Sequence, residues 1–273
     1  MDHGKTLTEI RDWADRDDDI RAVVVTGSVA AGTADRWSDL DVEVFTRDPS
    51  LLLEDDEWYA PFGEVLVVEA LPNPDWYPTR LVYYVDAKID FAIAPADALR
   101  TARYERPFRV LVDKDDVAGE QRVTEPAASQ PSAAEFAECS HWFYAAALMC
   151  AKSVVRGELW EAKNRDADLK AQLLRMIEWD HRVRYGWEFD TWHLGKRMVH
   201  WMDEDVRSAL TECWGRFDPA DTVRALWHSV EVFEQIADRT ADAFGLTRFD
   251  NSNVEDELHR ILRHAPSADG DAV

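Results

Sequence analysis

The chain reads as an α+β protein: an N-terminal mixed sheet with flanking helices, followed by a C-terminal helical bundle. Three observations predict this. Short apolar runs with period-two alternation fill the first part of the chain. The stretch from Asp115 to Pro131 is rich in Ala, Ser, Gln and Pro and reads as a linker. From Ser132 onward the apolar spacing is helical almost throughout. The expected divisions are residues 1–125 for the sheet domain, 126–263 for the helical domain and a disordered tail over 264–273.

Element by element, Leu7 to Ile20 carries apolar residues at helical spacing and opens the chain as an amphipathic helix. Arg21 to Thr26 is β-branched and apolar, the pattern of a buried strand. The segment AAGTADRW, from Ala30 to Trp37, is expected to start a helix. Leu40 to Phe45 alternates, with Leu40, Val42 and Val44 on one face and Asp41 and Glu43 on the other. Glu64 to Ala70 is a third strand, and the prolines of PNPDWYP mark a loop. Arg80 to Val85 and Lys88 to Ala94 form a hairpin turning at Asp86-Ala87. A short helix near Asp97 to Tyr104 and an edge strand at Val110 to Val112 complete the domain. Helices are then predicted over Ser132 to Arg156, Leu159 to Arg184, Asp203 to Arg216 and Pro219 to Phe244. Ser132 and Glu135 fit the S-x-x-E capping box that opens the first of them.

Composition removes several function classes. Acidic residues number 54 against 31 basic, a formal net charge of −23, which repels nucleic acid and anionic membranes and attracts cations. No basic stripe for a nucleic-acid partner is visible. No run approaches the roughly 18 apolar residues of a membrane span, and the polar, acidic N-terminus does not read as a secretory signal. Three scattered cysteines, Cys139, Cys150 and Cys213, do not make a disulfide framework, so a cytoplasmic location is expected. No Cys or His spacing fits a zinc site, no G-x-S-x-G elbow is present, and His141, His181, His193 and His200 read as packed or surface residues.

The chemistry concentrates in TGSVAAGTADRWSDLDVEVF, Thr26 to Phe45. Asp39 and Asp41 are two apart on extended chain, so both project from one sheet face. Carboxylates this close repel unless a cation joins them, and Mg²⁺, with its preference for oxygen ligands and substrate phosphates, is the simplest. Gly27-Ser28 ends the preceding strand, where glycine lets a backbone approach a ligand and amides at a helix start favour phosphate. GSVAAGT lacks the lysine of a Walker A loop, so that reading fails. Asp90 interrupts the apolar run KIDFAIA, where an acid is costly without a partner; beside the pair it completes a metal site or acts as general base. Glu43 is the other acid open to the proton-accepting role.

Strand, Gly-Ser, ten residues, Asp-x-Asp, then a later strand with Asp resembles the polymerase-β-like nucleotidyltransferase superfamily. That resemblance implies nucleotide binding by Gly27 and Ser28, metal binding by Asp39, Asp41 and Asp90, and a catalytic role for the same three acids. The segments LVDKD, PSAAEF, AKSVVRGEL, LLRMIEW and GKRMVHWM, in this order, look like the aminoglycoside 6-adenylyltransferases, the streptomycin-modifying group. The similarity runs from about residue 5 to 245. It implies ATP as co-substrate, one or two Mg²⁺ ions, phosphate contacts from Lys196 and Lys152, and a small cationic acceptor met as a monomer or homodimer. The chain departs from the family in carrying Val29 where an arginine commonly follows Gly-Ser, and Leu40 where a tyrosine commonly separates the two aspartates. For a polycationic acceptor, acidic and aromatic side chains are required, and Glu178, Trp179 and Asp180, with Glu188, Phe189, Asp190 and Trp192, are the candidates. Two other readings share the motif: a protein or tRNA nucleotidyltransferase of the toxin type, and a non-catalytic nucleotide-binding module.

Overall fold

The computed structural model describes residues 2–119 and 130–265. The chain divides into two compact units, residues 1–126 and 127–273. Most of the expected linker and tail lies outside the described residues.

The first unit opens with α1 (His3–Arg16), whose first turn is capped by the Asp2 carboxylate accepting from the Gly4 and Lys5 amides. Strand β1 (Ile20–Val25) leads into a single helical turn, α2 (Gly27–Ala30), and then into β2 (Leu40–Thr46). The helix expected from Ala30 therefore lies earlier and is much shorter. Beyond it Gly32 takes a left-handed conformation at φ 69°, and Asp35 accepts from the Trp37 amide at 2.8 Å, turning the chain back. After β2 come α3 (Pro49–Glu54), a 3₁₀ turn at Ala60–Phe62, β3 (Val65–Leu71), β4 (Thr79–Tyr84), β5 (Ala87–Pro95), a 3₁₀ segment at Ala96–Thr101 and β6 (Arg109–Asp113). Tyr84 pairs with Ala87, so the hairpin turns on Val85-Asp86, one residue earlier than expected. Asp86 supplies the positive φ (60°) that this tight turn requires.

The six strands lie in the order β3-β4-β5-β2-β1-β6. All neighbours are antiparallel except β2 and β5, which run parallel with Leu40 opposite Ile89, Asp41 opposite Asp90 and Val42 opposite Phe91. Alternation then sorts the side chains into two layers. Leu40, Val42, Val44, Ile89, Phe91 and Ile93 are buried with Leu7, Ile10 and Ala14 of α1. Trp58 packs edge-on to Phe91 at 4.8 Å and stacks on Trp13 at 5.3 Å, closing this layer. On the other face Ala22, Val24, Phe45, Ala94, Leu99 and Tyr104 form a smaller core. That second layer leaves the Asp41–Asp90 end of the sheet partly open.

The second unit is all helix: α4 (Ala133–Val155), α5 (Leu159–Tyr185), α6 (Met198–Trp201), α7 (Glu204–Glu212), α8 (Pro219–Phe244) and α9 (Ser252–Leu262). The Ser132–Glu135 capping box forms with both of its hydrogen bonds. Helix α8 begins with Asp218 as cap and Pro219 in its first turn, and ends on Gly245 at φ 65°. Helix α7 stops four residues short of expectation. Any Cβ at Gly215 would lie 2.8 Å from the Asp221 carbonyl, so the chain leaves the helix to pass closely over the start of α8. Phe143 and Phe233, at 3.7 Å and nearly parallel, join α4 to α8 at the centre of this core. All three cysteines are buried free thiols. Among the described residues no helix is long and apolar enough to cross a membrane.

Asp180 is the main polar tie of the bundle. Its side chain is inaccessible to solvent, and both oxygens accept from guanidinium groups: Arg184 at 2.7 and 3.1 Å within α5, and Arg239 at 2.6 and 2.7 Å from α8. Removing the carboxylate would take from Arg239 its contact with α5 and leave Arg184 with Asp203 and Tyr185. Asp180→Ala is therefore expected to cost on the order of 3 kcal/mol, seen as a lower urea midpoint with an unchanged slope. A midpoint equal to that of the parent would show that the pair of arginines contributes nothing to cohesion.

Candidate active site

The mouth of the first unit is built from the ends of β1, β2 and β5. The Thr26 amide donates to the Asp41 carbonyl at 3.0 Å, which brings Gly27 alongside Asp41. Gly27 sits at φ 65°, and a Cβ added there would lie 1.9 Å from Asp41 Oδ2. Only glycine leaves room for the carboxylate in this position. Asp90 is the register partner of Asp41 on the neighbouring parallel strand. Leu40, Val42, Ile89 and Phe91 point into the α1 layer, so Asp41 and Asp90 project together from the opposite face.

Lys88 is the member of this group that motif reading overlooked. Its Nζ lies 3.0 Å from Asp39 Oδ2 and 2.7 and 2.8 Å from the two oxygens of Asp90. The three side chains are 18%, 39% and 23% exposed in the order Lys88, Asp39, Asp90. Burial by itself would lower the lysine pKa; hydrogen bonds to Asp90 and Asp39 and their charges outweigh it and hold the ammonium form. A signal did exist in the sequence, since Lys88 and Asp90 are two apart on one strand and therefore share a face.

Asp39, Asp41 and Asp90 do not close into one ready-made cage. Among the described residues no group of three or more His, Cys, Asp or Glu is so arranged as to hold a metal ion. The physical reason is that Lys88 gathers Asp39 and Asp90, while Asp41 leans on Gly27. The donor chemistry nevertheless fits Mg²⁺, which is commonly held by one or two carboxylates plus substrate phosphates. Two carboxylates already share a cation, and a third is adjacent in register.

Glu43 lies on the same face two residues beyond Asp41 but is 7% exposed. Burial raises its pKa, and the Tyr104 hydroxyl donates to it at 2.8 Å. It anchors the second core layer and is not open to a reacting hydroxyl.

In the second unit, Lys152 is exposed near the end of α4 and Lys196 is exposed in the turn before α6. Lys152 lines a cavity of about 730 Å³ with Arg156, Trp160 and Phe217. The expected acceptor residues are mostly engaged elsewhere. Trp179 is 7% exposed within the helical core and has the Arg175 guanidinium over its ring at 4.7 Å; Asp180 is committed to its two arginines. Both are corrected from surface ligands to packing residues, because α5 turns that side of its surface toward the core. Trp192 carries the Arg197 guanidinium 4.2 Å from its ring centre.

Glu178 remains half-buried, and burial, opposed by Arg182 and Arg175, pushes its carboxyl up to about 7. The folded state thus holds a proton that the unfolded chain releases near pH 4.5. Stability contributed this way is complete below about pH 4.5 and is lost as pH rises through about 7. Glu178→Gln should match the parent at acid pH and exceed it by about 2–3 kcal/mol above about pH 8 in urea titrations. Equal stabilities across that range would show an ordinary, solvated carboxylate.

A Gly-Ser turn against a strand-borne aspartate, with another aspartate in register on the adjoining parallel strand, is the arrangement of a nucleotidyltransferase. The family model for streptomycin adenylyltransferase matches residues 2–261, and the chain belongs to that family. Its relatives include an aminoglycoside 6-adenylyltransferase of Campylobacter jejuni, 23% identical over 255 residues that span 85% of each chain. Another, from Staphylococcus aureus, is 27% identical over 178 residues, 59% of this chain and 61% of that one. Among solved structures, an aminoglycoside 6-adenyltransferase from Bacillus subtilis aligns over 94% of this chain and 96% of its own, with 17% identity and a TM-score of 0.47.

Proposed function

We propose that the protein transfers AMP from ATP to a hydroxyl group of an aminoglycoside of the streptomycin type, with release of pyrophosphate. The acceptor oxygen forms a bond to the α-phosphorus as the bond from that phosphorus to the bridging oxygen breaks. The hydroxyl proton goes to Asp90 in preference to Glu43, which is buried under Tyr104. Gly27 and Ser28 offer backbone close to Asp41 for the phosphate chain. Asp39, Asp90 and the adjacent Asp41 would hold Mg²⁺, which when bound stabilises negative charge developing on the phosphoryl oxygens. The excess of acidic residues favours a polycationic acceptor and disfavours RNA.

The observation that carries this reading is the parallel register of β2 and β5, which sets Asp41 beside Asp90 next to the Gly27 turn. Family membership supplies the acceptor class. The test is incubation with ATP, Mg²⁺ and a panel of aminoglycosides, streptomycin first, read by mass spectrometry of the antibiotic. The expected result is an added AMP on one aminoglycoside and stoichiometric pyrophosphate. An unmodified panel, with AMP appearing on an added protein or RNA, would overturn the acceptor assignment.

A further inference from the structure

Lys88, near the start of the interior strand β5, is held by two carboxylates at once. Its Nζ donates to Asp39 Oδ2 at 3.0 Å and to Asp90 Oδ2 at 2.8 Å, and lies 2.7 Å from Asp90 Oδ1, so one ammonium bridges both carboxylates. Its Nζ also lies 5.5 Å from the ring centre of Tyr83, the residue opposite it on β4. Without this ammonium, Asp39, Asp41 and Asp90 would carry three like charges across two neighbouring strands. Partial burial makes that repulsion stronger than at a solvated surface.

We propose that Lys88 is a resident counter-cation: it holds Asp39 and Asp90 together before substrate arrives and competes with a free divalent ion for them. The inference rests on the metal–nucleotide reading of this site and adds to it an order of events. A divalent ion alone must displace an ammonium that has nowhere better to go. A triphosphate changes the balance, because it brings further anionic oxygens to which the ammonium can turn. The flexible four-carbon stem of lysine, at the second residue of β5 next to the hairpin turn, permits that swing. Metal binding thereby becomes dependent on nucleotide.

Full-length protein freed of metal with EDTA, as parent, Lys88→Met and Lys88→Arg, tests this by Mn²⁺ titration followed by electron paramagnetic resonance. The titrations are run without nucleotide and with a non-hydrolysable ATP analogue. Lys88→Met is expected to bind Mn²⁺ alone about tenfold more tightly than the parent, since a competing charge is gone. Lys88→Arg, which keeps a cation, should stay within about twofold of the parent and guards against a general folding effect. The melting temperature of Lys88→Met in EDTA should fall below that of the parent and recover on adding Mn²⁺. If the parent takes up Mn²⁺ with the analogue but Lys88→Met gains no affinity for Mn²⁺ alone, the counter-cation role is overturned and the metal–nucleotide reading stands. If no variant binds Mn²⁺ even with the analogue, the metal–nucleotide reading itself fails and takes this inference with it.

Discussion

An Asp41→Asn variant is expected to lose AMP transfer by at least about 10³-fold while remaining folded, because positioning and electrostatics carry most of phosphoryl-transfer catalysis. Asparagine keeps the shape of the side chain and can still accept at one oxygen, so the fit against Gly27 survives. What disappears is a negative charge beside Asp90, its register partner on β5. Relief of that like-charge contact should leave the melting temperature equal to or above that of the parent. Loss of activity with retained or increased stability is the signature of a residue kept for chemistry. Turnover within tenfold of the parent would remove Asp41 from the catalytic centre, and a large drop in melting temperature would make its role structural.

Gly27→Ala should be nearly as damaging for a different reason. The added Cβ would lie 1.9 Å from Asp41 Oδ2 and 2.9 Å from its Cγ, so the carboxylate must swing away. Displacement of a reacting or ligating group by about 1 Å costs on the order of 10²-fold in rate. The positive φ adds about 1 kcal/mol or more of backbone strain to the folded state. Gly32 provides the control: its φ is 69°, but an added Cβ would meet nothing within 4 Å. Gly32→Ala is expected to pay the same strain in a thermal melt and yet retain transfer within a few-fold. If both alanine variants lose activity equally, the close approach of Gly27 to Asp41 is not the cause.

The alternation of Leu40, Val42 and Val44 against Asp41 and Glu43 was legible because a strand has period two and one face must be buried. The same rule put Asp90 on the polar side of its strand, and the Ser132–Glu135 capping box was visible as a four-residue pattern. Local chemistry of this kind needs only neighbours in the chain. Helix α9 carries Val254, Leu258, Ile261 and Leu262 at helical spacing and was legible in principle, whereas α2 is a single turn, too short to show a period, and depends on what it packs against. Trp179 and Asp180 could not be told from surface ligands, because helical spacing does not say which polar residues find arginines on another helix. By itself, then, the order of residues determined the α+β architecture and the family, and pointed to the acids proposed for the site. Only the tertiary structure decided that β2 and β5 lie parallel with Asp41 level with Asp90, and that Lys88 rather than Glu43 joins them. Strand register and the partners of a charged side chain are set by segments some 50 residues apart, and contacts at that distance exist only after the chain has folded.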